Sequence, residues 1–591
     1  MAKGGPGTAK DRWRLWLFAF WAIAAIAMIH QKWAAIHWFA LGDTDDNMRM
    51  AQVRALLAGQ GWFDLRQYKL DPPGGASIHW TRLVDLPIAG VILALKPIFG
   101  GIVAEKAAVA IAPLLALGGA VYALALAVRR LVAPQAYPLA IAILLCAPSA
   151  VAMWMPLRID HHGWQLAMLI LAVAGSADPD GRRGGVTVGL ATAASLSIGL
   201  ELMPHMAIAG AVIVLRWALD RGEAGRLRAY GAALAGGSAL GFLLFASYDN
   251  RQLVCDVLSP VYLSAVLAAG ALLVLLAALP ADRRELRFAA AAAAGGLLAA
   301  GFALAWPQCL GRPERLSPEL QRLWFDNIRE AKPIYQHDYR IALRTVALPL
   351  IGVVGSLVAL WRARETRLFA AWIAPALLSL FSTSLLFWQT RAGPGAQLLA
   401  VPGATAFGWL LITQLVMRRS FGLLLAGATA AFLLVSGQFM QIALEAMPAK
   451  PRSETRKKID LANRRCPTLP ALRPIARLPA ATILTFVDFG PRLITVTHHR
   501  AIAGPYHRNQ QAILDVQHAF RAASPDVARD VMRRHGATML LICPGMSEST
   551  LYASQARQGF YAQLRKDQVP AWLEPVPLPA NSPFKLWRLV G

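Results

Sequence analysis

Acidic side chains are scarce: 34 Asp and Glu stand against 59 Lys and Arg in 591 residues, and charged residues of both signs make up only 16%. With 56% hydrophobic residues and a mean hydropathy of +0.44, so little charge excludes a water-soluble globule. Cysteine is scarcer still, with five in all: Cys146, Cys255, Cys309, Cys466 and Cys543. Their number and irregular spacing argue against a zinc or disulfide framework, although Cys466 and Cys543 are free to bridge, or to stay as thiols, if both are periplasmic. A basic stripe and a nucleic-acid-binding motif are also missing, which sets nucleic acid aside in spite of a net charge of +25. No long internal repeat supports the inverted-repeat plan of many transporters. The first apolar block, residues 15–34, follows Lys10, Arg12 and Arg14 and has no small-residue cleavage site, so it reads as a signal anchor with the N-terminus inside.

What is present is a succession of about 14 apolar blocks before residue 445, most of them near the length a helix needs to cross a bilayer. Parity then places the basic clusters Arg129/Arg130, Arg182/Arg183, Arg226/Arg228, Arg283/Arg284/Arg287, Arg362/Arg364/Arg367 and Arg418/Arg419. All of them face inward, as positive charge should, if one early block does not span. The block at residues 86–99 is short, contains Pro87, Lys96 and Pro97, and continues a polar loop, so it reads as a helix on the outer membrane surface. About 13 spans remain in a membrane domain over residues 1–445, with external loops at 36–103, 155–163 and 307–340. The tail, 446–591, is richer in Pro, Arg and His and has no spanning block. Segments 482–487, 494–496 and 539–543 look like strands and 525–535 like a helix, which makes the tail a small external α/β domain.

The few outer-face acids are the informative residues. Asp43, Asp45 and Asp46 follow directly on the first span; carboxylates so close repel one another unless a cation neutralises them. The same residues also suit the N-cap and first turn of a helix running through Met50, Val53 and Leu57, and the two readings are compatible. Arg158-Ile159-Asp160-His161-His162-Gly163 falls in a loop so short that its polar groups must lie at the outer surface. Asp with His at this spacing suits Mg2+ or Mn2+ better than zinc, or else a solvated turn. Arg391 is an outer-face charge suited to a lipid phosphate or to snorkelling at the interface. Glu201 and His205 read as a hydrogen-bonded helix end.

The order Asp43-x-x-x-Asn47-x-Arg49, then Trp62-Phe63-Asp64, then Pro72-Pro73-Gly74-Gly75 resembles the first external loop of oligosaccharyltransferase catalytic subunits, members of the GT-C glycosyltransferase superfamily. Asp160-His161-His162 resembles their second motif in its archaeal form. The resemblance implies a metal held by Asp43, Asp160 and His162, a donor phosphate held by Arg391, and an inverting displacement; Arg158, beside Asp160, is a second candidate for that phosphate. It also implies 13 spans, a large external loop before the tenth, and an external C-terminal domain. Thr485-Phe486-Val487-Asp488-Phe489-Gly490 lies where that family has its W-W-D-Y-G acceptor motif, with only Asp and Gly kept, so a protein sequon is not the expected acceptor. Glu319 or Glu330 stands in for the family's loop glutamate. Just beyond the degenerate motif, Tyr506, His507 and Arg508 supply groups suited to sugars and phosphates, or form a polar turn.

The function expected is an integral-membrane glycosyltransferase that moves a sugar or oligosaccharide from a polyprenyl-(pyro)phosphate donor to a saccharide, lipid or protein acceptor at the external face. Mn2+ or Mg2+ would neutralise the leaving phosphate, and one of the Asp43, Asp45 and Asp46 carboxylates would orient or deprotonate the acceptor. The alternative is a transporter or flippase of lipid-linked saccharides, which would need ionisable groups in the bundle core rather than at one face.

Overall fold

The computed structural model describes residues 12–416, 421–448 and 451–590. Lys10 and the Arg418/Arg419 cluster fall outside them. Every apolar block anticipated from the sequence lies on a helix. Among the described residues, seven helices are long and apolar enough to cross a bilayer: Arg12–His37, Gly101–Leu131, Arg221–Phe245, Pro260–Ala278, Arg284–Ala305, Tyr339–Arg362 and Thr390–Gln414. Shorter apolar helices, His162–Ser176, Met203–Leu219 and Phe369–Leu385, pack among them. Leu424–Val435 and Gln438–Ala446 form a pair bent by 85°. The bend falls at Gly437, whose φ of +74° is open to glycine at no steric cost. The chain is an integral membrane protein. Small residues set a close helix crossing, where a Cβ on Gly355 would lie 2.1 Å from the Gly403 carbonyl.

Asp85–Phe99 is a separate 15-residue helix ahead of the first long internal span, with Leu86, Leu93, Ile98 and Phe99 exposed along it. The basic clusters gather at the end of the bundle away from this helix. There Asp178 is held by Arg130 at 2.6 Å and Arg183 at 2.7 Å, and Glu223 by Arg216 and Arg226. Acid partners therefore neutralise part of the basic excess where helix ends crowd together.

The C-terminal domain holds one five-stranded sheet: β1 Thr482–Leu484, β2 Arg500–Ala501, β3 Met539–Ile542, β4 Leu573–Pro575 and β5 Lys585–Leu589, in the order β2-β1-β3-β5-β4. β1 pairs in parallel with β2 and β3, and β5 runs antiparallel to β3 and β4. β3 is buried throughout, as a central strand between helices should be. Residues 494–496 are not a strand. They end the Gly490–Val496 helix, started by Pro491 and docked through Thr495 on the Thr44–Leu57 helix. β4 and β5 carry no clear alternation and were not anticipated.

Two disulfides join Cys255 to Cys309 and Cys466 to Cys543, with Cα separations of 5.3 and 6.4 Å, and Cys146 is free. The first pairing contradicts the expectation that the cysteines are too irregular for cross-links. Pro260–Ala278 and Arg284–Ala305 are consecutive helices, so residues just before the first and just after the second return to the same end of the bundle.

Candidate active site

The Thr44–Leu57 helix starts on Asp43, whose side chain accepts from the Asp45 N–H at 3.0 Å, so the capping role expected of this segment is real. Its other carboxylate oxygen faces away, 2.6 Å from Arg158. Asp46, one turn into the helix and buried, accepts the backbone N–H groups of Ile159 and Asp160 at 2.8 and 3.2 Å. The helix is thereby fastened to the turn that carries the second motif. Asp160 completes the arrangement: its Oδ2 lies 2.7 Å from Arg158 and 3.0 Å from His162 Nδ1. Asp43, Asp46 and Asp160 thus converge on one guanidinium, which stands where a shared cation would neutralise them.

Electrostatics separate the three carboxyl groups beside Asp43. Burial, and after it the Asp43 and Asp160 charges, pushes Asp45 up to about 7. Burial raises Asp46 well above the usual carboxylate range. Burial also opposes ionisation of Asp160, but His162 and Arg158 outweigh it and hold that group below the usual range. Arg158 is spent on these acids. Arg391 is not: it lies exposed, 5.9 Å from the Phe325 ring, with no carboxylate against it among the described residues.

The structure adds residues that the sequence reading passed over. Glu201, treated there as a helix end, accepts from His161 Nε2 at 3.0 Å and Gln165 Nε2 at 2.8 Å. Burial opposes its ionisation, but the His161 charge and hydrogen bond outweigh it and hold its pKa well below the usual carboxylate range, so it stays ionised. His161 lies 5.6 Å from the Trp80 ring. The Nδ1 atoms of His79, His161 and His205 are all buried without a hydrogen-bond partner. Arg49 and Arg82 both pair with the fully buried Asp85, at 2.9 and 3.1 Å, and Arg49 lies 4.3 Å from Trp80, so this triad braces the wall of the site. The signal that could have found Glu201 was parity, because the 199–202 turn must return to the same end of the bundle as 155–161.

The tail domain closes over the Thr44–Leu57 helix. Arg492 donates to Phe39 O at 3.1 Å and Asn47 Oδ1 at 3.2 Å, and Tyr506, buried, donates to Thr44 O at 3.1 Å. Asp488 faces Asp43 from the domain side, and burial followed by that charge pushes it up to about 6. Its backbone is fixed by Glu548, which accepts the N–H groups of Val487 and Asp488 at 2.9 and 2.8 Å. Phe486 and Val487, where the resembling family has tryptophans, point into the domain core. His507 and Arg508 grip Asp256 at 2.6 and 2.7 Å. Glu319 lies elsewhere, 2.8 Å from His518, and is not among the groups that converge on Arg158.

No protein-family model matches the sequence, and no curated protein does either. Solved structures do. Over 93% of its own length and 72% of the other chain, at 15% identity and a TM-score of 0.67, the chain is similar to the archaeal oligosaccharyltransferase AglB from Archaeoglobus fulgidus in complex with an inhibitory peptide and a dolichol-phosphate. The fold is that of the GT-C glycosyltransferases. The Archaeoglobus enzyme complexed with Zn and sulfate matches at 15% identity and a TM-score of 0.59, covering 88% of this chain and 67% of that one. A mycobacterial arabinofuranosyltransferase, AftD, matches at 14% identity and a TM-score of 0.50, covering 98% of this chain and 40% of its own. In this chain the carboxylates that converge on Arg158 come from the first long loop and from the turn before the His162–Ser176 helix, and the C-terminal domain covers them.

Proposed function

We propose that the chain transfers a sugar or oligosaccharide from a polyprenyl-(pyro)phosphate donor to an acceptor at the membrane face bearing the C-terminal domain. The observation that carries this reading is the convergence of Asp43, Asp46 and Asp160 on Arg158 at one end of the bundle. Two disulfides at that same end suit an oxidising, extracytoplasmic compartment. The archaeal neighbour's dolichol-phosphate supports a lipid-borne donor, which can lie along the spans.

Asp160 and His162 offer an oxygen and an imidazole nitrogen to a divalent cation, but with Asp43 they do not bring three ligand atoms within 4.8 Å of one another; among the described residues His79, Asp256 and His507 do. Asp160 and His162 already place ligand atoms 3.0 Å apart, and Asp43 faces them across Arg158, which marks the point where positive charge is needed. Asp43, Asp160 and His162 would hold the ion, Mn2+ or Mg2+ by this mixed oxygen and imidazole set. Bound there, it would supply charge neutralisation to the departing phosphate.

The chain's own groups do the rest. Asp46 keeps the Asp160 turn against the helix that carries Asp43, so the carboxylates stay in register. The unpartnered Nδ1 atoms of His79 and His161 and the exposed Arg391 would supply donors to phosphate oxygens. Asp45, beside Asp43, is placed to orient an acceptor hydroxyl or amine and accept its proton. Asp488 approaches from the tail domain and closes the acceptor side. Inversion at the anomeric carbon follows from a single direct displacement.

Incubating purified protein with a radiolabelled polyprenyl-linked sugar and Mn2+ tests this. Transfer should fall at least about a thousandfold in the Asp43→Ala, Asp160→Ala double variant, the scale expected when groups that stabilise developing charge are removed. Transfer that survives in that variant refutes the assignment.

A further inference from the structure

The Trp62-Phe63-Asp64 and Pro72-Pro73-Gly74-Gly75 segments take no part in the carboxylate site, yet together they build a wall. Phe63, Asp64, Arg66 and Tyr68, with Tyr248 and Asp249 from a second loop, line a cleft of about 320 Å3, within the size range of small-molecule sites. The two loops are tied across it: the Tyr248 N–H donates to Phe63 O at 2.9 Å, and Arg66 meets Asp249 at 3.0 Å. Asp64 is fixed by the Arg66 N–H at 3.1 Å and the Tyr68 hydroxyl at 3.0 Å. Behind the Tyr68 ring sits Gly75, at φ +75°, where a Cβ would lie 2.9 Å from the ring edge, so the backbone covers one side of a ring that stays 48% exposed. Tyr248, 63% exposed, lies 6.0 Å from Phe63.

Three aromatic rings beside two fixed carboxylates and a guanidinium form the surface that a sugar requires, with flat apolar faces for its C–H groups and convergent acceptors and donors for its hydroxyls. Arg66 is already paired with Asp249, and the second nearby guanidinium, Arg251, lies 4.3 Å from the Phe63 ring, so neither is a free anion site. The place is right as well. Trp62 donates to Leu244 O at 2.7 Å, at the last turn of the Ala224–Phe245 helix, so the cleft opens at the end of the bundle where a lipid-borne saccharide would emerge. Asn250, the residue after Asp249, donates to His79 O at 3.1 Å and Trp80 O at 3.3 Å, which links the cleft wall to the wall of the carboxylate site.

We infer that the cleft between Phe63, Tyr68 and Tyr248 is a saccharide subsite that holds sugar residues beyond the bond being broken. The choice of ligand rests on the glycosyltransferase reading, but the test does not need turnover. In saturation-transfer NMR, full-length Asp160→Ala protein in nanodiscs is offered free tetrasaccharides of hexose, pentose and N-acetylhexosamine units. At least one should bind, and adding Tyr68→Ala with Tyr248→Ala should weaken it about tenfold, or 1.4 kcal/mol. If none of the three binds, or binding is unchanged by the tyrosine substitutions, the inference falls, while binding without any transferase activity would sink the catalytic reading alone. In active protein, Tyr248→Ala should raise KM with kcat kept. An effect on an oligosaccharide-bearing donor but not on a single-sugar donor assigns the subsite to the donor, and an effect on a saccharide acceptor assigns it to the acceptor. Unchanged KM for both overturns it.

Discussion

Replacing Arg158 by Met tests whether its guanidinium stands in for a cation. The side chain is 18% exposed and faces Asp46 and Asp160, which are 3% and 0% exposed, and the more open Asp43 at 41%. Removing one partner of a buried pair typically costs about 3–5 kcal/mol, because the remaining charge is left uncompensated. Screening at Asp43 reduces its share, and about 3 kcal/mol is the expected loss for Arg158→Met in the presence of a chelator. Met keeps most of the volume, so little of that loss is cavity. The vacated point is then open to a real cation, and ligand present at 100 times its Kd returns about 2.7 kcal/mol. Thermal unfolding of purified protein in detergent, with and without Mn2+, reads both quantities. The variant should be markedly less stable than wild type in chelator and should gain more from Mn2+, because in wild type the ion must displace the guanidinium first. A variant as stable as wild type in chelator, or one whose Mn2+ gain does not exceed that of wild type, would refute the reasoning.

Asp85→Asn leaves Arg49 and Arg82 buried without a counter-charge and should cost about 3–5 kcal/mol, read as a lowered unfolding temperature. Glu548→Ala strands the buried Val487 N–H and the Asp488 N–H, a loss of about 1–3 kcal/mol for each group that water cannot reach, whereas Glu548→Gln should recover part of it. His535 joins the tail domain to the first long loop, with Nδ1 3.2 Å from Asp71 and Nε2 2.8 Å from Asp515, an acid that Arg534 also contacts. The hydrogen bond to Asp71, and after burial's opposing effect that to Asp515, raises its pKa above the ordinary 6.5. Its contribution is therefore complete below about pH 6.5 and is lost as pH rises through the raised value. Unfolding temperature should decline over that interval in wild type and stay flatter in His535→Gln.

The acidic motifs were legible because each is short and topologically confined. Asp43–Asp46 follows closely on a span, and Asp160 sits in a turn too short to leave that end of the bundle, although Asp160 and His161 prove buried there under the first loop and the tail domain. The pairs that complete the site were not legible, because they join elements far apart in the chain. His161 meets Glu201 40 residues on, and Arg49 meets Asp85 36 residues on. Arg508 meets Asp256 across 252 residues. Such partners depend on which helices adjoin, and hydropathy says nothing of that. The helix at 490–496 shows the opposite failure. Ile494 and Val496 alternate like a strand, but Gly490-Pro491 starts a helix, and Thr495 and Arg492 hold it on the Thr44–Leu57 helix, so tertiary contacts override a short pattern.

Charge balance at the site bears on how an anionic leaving group is accommodated. Asp43, Asp45, Asp46 and Asp160 crowd around one arginine, and Arg158 already contacts three of them. A phosphate entering this environment finds an acidic wall whose buried arginines are engaged, Arg158 by Asp43, Asp46 and Asp160 and Arg49 and Arg82 by Asp85. Under the proposed function, positive charge would come from a cation between Asp43, Asp160 and His162, from the imidazoles of the site, or from the exposed Arg391. Burial, and after it the His507 charge, pushes the His79 pKa well below its ordinary value, so that imidazole is neutral at pH 7 and offers a dipole rather than a charge. An exposed Arg391 acts through solvent and is screened. Burial opposes protonation of His162, but the Asp160 charge and hydrogen bond outweigh it and push its pKa up to about 9. This imidazole therefore carries a positive charge into the site at pH 7, and a cation bound there would have to displace its proton.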